Sequence, residues 1–138
     1  MDSQLGGVGG YYGLPNEGHA IAVDDLDNVY VSGIYRGKCE FNPDGGYVYE
    51  SQIGSDGYYG DDVFLSKFDS SGAFQWATAF GGVVYDNSRG VAAYGDSNVF
   101  ITGYFSGKIH PVDLDPGPGE YIITSNGGSD VFLVNYVP

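Results

Sequence analysis

An all-β repeat fold is what this sequence predicts, and three observations predict it. The first is internal repetition. Asn28-Val29-Tyr30-Val31-Ser32-Gly33-Ile34-Tyr35-Arg36-Gly37-Lys38 returns 70 residues later as Asn98-Val99-Phe100-Ile101-Thr102-Gly103-Tyr104-Phe105-Ser106-Gly107-Lys108, with five of the eleven pairs identical. Asp62-Val63-Phe64-Leu65 likewise returns as Asp130-Val131-Phe132-Leu133. Self-similarity at a fixed period marks units that each need a neighbour to bury an apolar face. The second observation is local pattern. Almost no segment carries a helical period, and short runs of Val, Ile, Tyr, Phe and Thr are bounded by Gly, Asp, Asn, Ser and Pro. The third is composition. With 42% hydrophobic residues the chain is too apolar for disorder, although 24 of its 138 residues are Gly.

The elements follow in order. Residues 20–23, 29–35, 63–69 and 74–80 form a first set of strands, and 90–93, 99–105 and 131–137 a second. Asp24-Asp25-Leu26-Asp27-Asn28 and Asp69-Ser70-Ser71-Gly72 are tight hairpin connections. Residues 37–62 and 107–130 are longer loops with equivalent turns, Asn42-Pro43-Asp44-Gly45-Gly46 and Asp115-Pro116-Gly117-Pro118-Gly119. Four antiparallel strands per unit of this length predict β-propeller blades. At 138 residues there is room for one core. The chain therefore reads as a single unit over 1–138, with repeat 1 at about 16–82 and repeat 2 at about 86–138.

These motifs resemble the bacterial β-propeller repeats of the SBBP type. Ile21-Ala22-Val23-Asp24, Asn28 to Gly33, Glu40-Phe41-Asn42-Pro43, Asp62 to Asp69 and Gly72 to Gly82 follow the family's pattern in order. A second pass runs through Asp86, Val91-Ala92-Ala93, Asn98 to Gly103, Asp113 to Gly119 and Asp130 to Tyr136. The resemblance implies four-stranded blades. The second pass stops at Pro138, without a counterpart of 74–80, while residues 1–7 align with Trp76-Ala77-Thr78-Ala79-Phe80-Gly81-Gly82. The expectation is a permuted blade, completed in trans by the N-terminal strand of another copy. Ser3, Gln4 and Leu5, in a donor strand running to Gly7, would then pair with Val131, Phe132, Leu133, Val134 and Tyr136. Such β-strand addition is head-to-tail, so it closes into a ring or propagates as a filament. A piece of a longer propeller is the other reading of the same pattern.

A net charge of −13 argues against nucleic acid and anionic membrane as partners, since both need a basic surface. No stretch has the length of a membrane span, so membrane insertion is not expected. Cys39 stands alone and forms no internal disulfide. The start, Met1-Asp2-Ser3-Gln4-Leu5, lacks the regions of a secretory signal. The Gly- and Tyr-rich composition nevertheless favours an extracellular or cell-surface protein whose signal has been removed.

Candidate chemistry is confined to a few positions. Asp24, Asp25, Asp27 and Asn28 form an oxygen-rich turn with the ligand type of Ca²⁺, or equally a hairpin whose side chains accept turn hydrogen bonds. Asp61/Asp62 and Asp113/Asp115 invite the same two readings. His19 and His110 sit at non-equivalent places, and neither ligand spacing nor a nucleophile motif is present, so no enzymatic activity is expected. Trp76 has a packing role between blades or a sugar-stacking role. Tyr11, Tyr12, Tyr58 and Tyr59 fall in Gly-rich insertions, as contacts for a partner or as packing residues. The leading expectation is a structural, self-assembling protein whose partner is itself. The alternative is an oligomeric, carbohydrate-binding propeller lectin.

Overall fold

The structure, a computed structural model, describes residues 6–7, 16–53, 57, 59–95 and 98–138. Ser3, Gln4, Leu5, Tyr11, Tyr12 and Tyr58 lie outside the described residues. Among those described the fold is all-β, with several antiparallel sheets and no helix. In chain order the strands are β1 (Gly6–Gly7), β2 (Asn16–Val23), β3 (Val29–Tyr35), β4 (Lys38–Glu40), β5 (Val48–Glu50) and β6 (Asp62–Phe68). They continue as β7 (Phe74–Phe80), β8 (Asn87–Tyr94), β9 (Asn98–Phe105), β10 (Val112–Asp113), β11 (Ile122–Ile123) and β12 (Asp130–Tyr136).

The first repeat builds a four-stranded sheet, β2-β3-β6-β7, and the second a three-stranded sheet, β12-β9-β8. Their registers match. Ser32 opposes Leu65 as Thr102 opposes Leu133, and Ala22 opposes Tyr30 as Ala92 opposes Phe100. The first strand of each repeat is longer than the sequence predicts, because a bulge interrupts its pattern. Pairing shifts between Gly18 and Ala20 in β2, and between Ser88 and Gly90 in β8. This also accounts for the glycine repeated in β3 and β9. A Cβ on Gly33 would overlap the carbonyl of Glu17, and one on Gly103 the carbonyl of Asn87.

The two long loops also differ from expectation, since each carries a small hairpin. β4 pairs with β5, and β10 with β11. One carboxylate organises each. Glu40 accepts the backbone N–H of Asn42, Gly46 and Tyr47, and Asp113 accepts those of Asp115 and Tyr121. These short elements lack the alternating run that reveals a strand; side-chain capture of turn amides makes them instead.

Alternation along the strands creates two faces per sheet. Tyr30, Val63, Leu65 and Phe80 project from one face of the first sheet. They meet Val99, Ile101, Phe105 and Phe132 of the second, with Val112 and Leu114 of the β10-β11 region closing the same core. Ser32 and Ser88 share a buried hydroxyl hydrogen bond of 2.8 Å across this junction. On the opposite face of the first sheet, Tyr35, Cys39, Phe41, Phe64 and Ala77 make a second cluster, flanked by Tyr47 and Tyr49. The Tyr47 hydroxyl donates to the Ala77 carbonyl at 3.0 Å, fastening the β4-β5 hairpin there.

Candidate functional site

The outer face of the second sheet has the chemistry of a core and the exposure of a surface. Val131 and Leu133 are 79% and 73% exposed, whereas their counterparts in the first sheet, Val63 and Leu65, are fully buried. Phe100 is also exposed, whereas its counterpart Tyr30 is buried at the junction. The far face of the first sheet shows the complementary mismatch. Ile21 and Val23 are exposed, while their counterparts Val91 and Ala93 pack against the junction core. Repeat alignment held this signal, because Tyr30/Phe100, Val63/Val131 and Leu65/Leu133 are visible pairs. Sequence reasoning nevertheless singled out strand 131–137 for its edge and passed over Phe100.

The edge itself is β12, which pairs with β9 on one side and has no neighbour on the other among the described residues. The expected donor segment is corrected at its end. Gly6 and Gly7 pair with Glu40 and Cys39 of their own chain, not with 131–137. The reason lies in the repeat: Gly81, which follows β7, bridges Asp113 in the equivalent hairpin. Gly6-Gly7 thus bears the relation to β4 that Gly81 bears to β10. Residues 1–5, which precede Gly6 in the sequence, lie outside the described residues.

The Asp24 turn takes the hairpin reading. The Asp24 carboxylate accepts the N–H groups of Leu26 and Asn28, the Asn28 side-chain amide and the Tyr30 hydroxyl, at 2.8–2.9 Å. Burial acts to raise its pKa, but these donors together hold it below the ordinary carboxylate value. Asp25 and Asp27 are exposed, and Asp27 adopts φ 60°, a left-handed turn position that Asp tolerates. A Ca²⁺ ion at this turn would have to displace donors that already use both oxygens of Asp24.

Trp76 lies between the sheets, with its ring 6.1 Å from Tyr30 and 5.2 Å from Tyr136 in tilted and edge-on contacts. The Tyr59 hydroxyl donates to Glu50 at 2.7 Å. His19 donates from Nδ1 to the Ser88 carbonyl at 2.7 Å, tying the two bulges together. His110 lies apart from it, in the loop before β10.

A further group was not assembled by sequence reasoning. Asp61, Asp62 and Asp86 are all buried where the first repeat passes into the second. Asp61 is paired with Arg36 at 2.6 Å, so its charge is balanced locally. Asp86 accepts the N–H groups of Gly82 and Ser106. Asp62 Oδ2 accepts the Gln52 N–H at 3.3 Å, while its Oδ1 has no hydrogen-bond partner among the described residues. Burial first, and the Asp86 charge second, push Asp62 up to about 8; burial pushes Asp86 up to about 7. Beside Asp62 is a cavity of about 220 Å³, lined also by Glu50, Asp113, Asp115, Tyr35 and Tyr49.

No family model matches the chain. It is similar to an uncharacterized WD repeat-containing protein of Acanthamoeba polyphaga mimivirus, at 27% identity over 119 residues. That match takes in 84% of this chain but only 8% of the relative's length. No solved structure matches. The likeness suggests a propeller-type repeat, and the all-β, internally repeated architecture agrees with it.

Proposed function

We propose that this chain is a structural, self-assembling β-propeller-repeat protein of the SBBP type, in which each large sheet is a blade and copies join head to tail. One observation carries the reading: the exposed face formed by Phe100, Val131 and Leu133 repeats a face that is buried in the first sheet. The within-chain junction is the template for the joint between copies. The face of the first sheet that bears Ile21 and Val23 seats on the exposed face of another copy's second sheet. The N-terminal strand of the incoming copy extends the ladder at β12, since its Gly6-Gly7 end is already set against β4. Fully burying each large apolar side chain contributes roughly 1.5–3 kcal/mol, so several together offset the entropy of association. The contact is heterologous, giving a ring of roughly three or four copies if the rotation closes and a filament if it does not.

The role is mechanical rather than catalytic, and the Gly- and Tyr-rich, acidic composition suits an extracellular or surface setting. Glycan binding, the alternative, draws no support from Trp76, whose ring is engaged by Tyr30 and Tyr136. The test is Leu133→Asp alongside deletion of residues 1–7, each sized by chromatography with light scattering. Both variants are expected to lose the assembly, with Leu133→Asp keeping the circular dichroism of the parent. Assemblies of unchanged mass in both variants would refute the reading, and a glycan array with strong hits on either would favour the lectin.

A further inference from the structure

Arg89 is a cation without a carboxylate in a chain rich in carboxylates. Five Lys and Arg stand against 18 Asp and Glu. Arg36 pairs with Asp61 and Lys38 with Glu50. The exposed Arg89 makes no ion pair among the described residues and lies over the Tyr104 ring, 5.6 Å from its centre. It is the extra residue of the β8 bulge, the place that His19 holds in β2. His19 reaches across the junction, where its Nδ1 donates to the carbonyl of Ser88, the residue just before the other bulge. Ser88 is fully buried there, whereas its counterpart Gly18 is exposed. Beside Gly18 is Glu17, whose side chain is 58% exposed. The same relation between repeats, carried one step on, sets Arg89 of one copy against the Gly18 carbonyl of the next. Within the chain the facing positions are His19 and Asn87; between copies they are Arg89 and Glu17, which carry opposite charges.

The receiving face has room for the apolar side chains as well. A cavity of about 100 Å³ adjoins Glu17 and Gly18, walled by Val31, Cys39, Phe41 and Phe64. The counterparts of these four in the second repeat lie in the junction core, packed with Val63 and Leu65. Val131 and Leu133 repeat Val63 and Leu65, so they are the side chains this cavity suits. On the head-to-tail reading, we infer that Arg89 of each copy forms an ion pair with Glu17 of the next, beside the seat of Val131 and Leu133, and that this pair sets the order of sheets in the assembly. Glu17 Oε2 is 3.1 Å from His19 Nε2 of its own chain, which orients the carboxylate and leaves Oε1 for the guanidinium. The guanidinium has five N–H donors, enough to bond the Gly18 carbonyl and the carboxylate together. Only a second-repeat sheet meeting a first-repeat sheet brings the two charges face to face, so stacking of like sheets forgoes the pair.

The experiment measures the concentration at which the intact chain assembles, by light scattering at fixed ionic strength, in charge-reversed variants. Arg89→Glu and Glu17→Arg each put like charges at the joint, and each should raise that concentration roughly 30-fold or more. The double variant Glu17→Arg/Arg89→Glu should return to within about threefold of the parent, because the two effects are coupled. An equal mixture of the two single variants should assemble as well, since alternation restores an opposite pair at every joint of a filament or even-numbered ring. That recovery would also show both variants to be folded. Arg89→Glu assembling like the parent would overturn the ion pair. So would single variants that keep the parent's circular dichroism and lose assembly, when neither the double variant nor the mixture recovers it. Loss of assembly in Leu133→Asp, with no effect of Arg89→Glu, would remove this pair and leave the head-to-tail reading standing. A parent that stays a single chain at every concentration would remove both.

Discussion

Leu65 and Leu133 occupy one position of the repeat in opposite environments, which makes them a matched pair of probes. Leu65 is fully buried in the junction core, so Leu65→Ala removes packed methyl groups and leaves a cavity. Such truncations cost about 2–5 kcal/mol, here at every protein concentration. Leu133 is 73% exposed, so in an isolated chain only about a quarter of its surface is at stake. By area, Leu133→Ala should then cost about 0.5 kcal/mol. In the assembly Leu133 takes on the environment of Leu65, and its truncation should cost about 2 kcal/mol or more per joint. The assay is urea unfolding followed by circular dichroism, over a dilution series that spans assembled and dissociated chains. The Leu65→Ala deficit should be constant across the series, while that of Leu133→Ala should grow with concentration. Equal deficits at all concentrations, or a cost of about 2 kcal/mol for Leu133→Ala in dissociated chains, would refute a shared environment for the two leucines.

Three further predictions concern the single chain. Gly33→Ala should destabilise by at least 2 kcal/mol or so, because its Cβ would overlap the backbone carbonyl of Glu17 and crowd the Phe64 ring; thermal unfolding measures this, and Ser32→Ala is the milder control. Asp24→Ala should cost about 2 kcal/mol, since it strips four donors of their acceptor, whereas Asp25→Ala, fully outside that network, should change Tm by less than 1 °C or so. In EDTA, stability should fall as pH rises. Asp62, which lines a cavity with Glu50, Asp113 and Asp115, and Asp86, near Asp61 and its Arg36 partner, have folded pKa values raised to about 8 and 7. Their contribution is complete below the unfolded value of 3.8 and is lost as pH rises through the folded values. Each retained proton gives a slope of about 1.4 kcal/mol per pH unit, so urea midpoints should drop between about pH 5 and pH 7. Asp24, held low, works in the opposite sense and only below its ordinary value, so a midpoint that rises steadily over the same interval would contradict the assignment.

The long strands were legible because β-branched and aromatic runs end in Gly, Asp or Asn, and the second copy of each run checks the first. β3 and β9 emerge at the expected places for that reason. β2 and β8 were cut short because His19 and Arg89, the extra residues at the bulges, break the alternation on which a strand is read. The β4-β5 and β10-β11 hairpins escaped because Glu40 and Asp113 create them by side-chain hydrogen bonds that periodicity does not register. Of the candidate sites, sequence located strand 131–136 and the acidic pairs Asp61/Asp62 and Asp113/Asp115. It did not show that Asp62 meets the 113–117 loop across a cavity, because that proximity is set by the stacking of one sheet on the next. Asp86 likewise comes beside Asp62 through tertiary contacts, its N–H donating to the Asp61 carbonyl and both carboxylates crowding Gly81.

The most direct test of head-to-tail assembly is the mass of the purified chain in solution, measured by light scattering across concentrations with negative-stain images alongside. Multiples of the 14.7 kDa chain are expected, as discrete closed rings or as growing fibres, with a return to single chains in Leu133→Asp. A stable single chain at every concentration, with Val131 and Leu133 remaining in water, would contradict it.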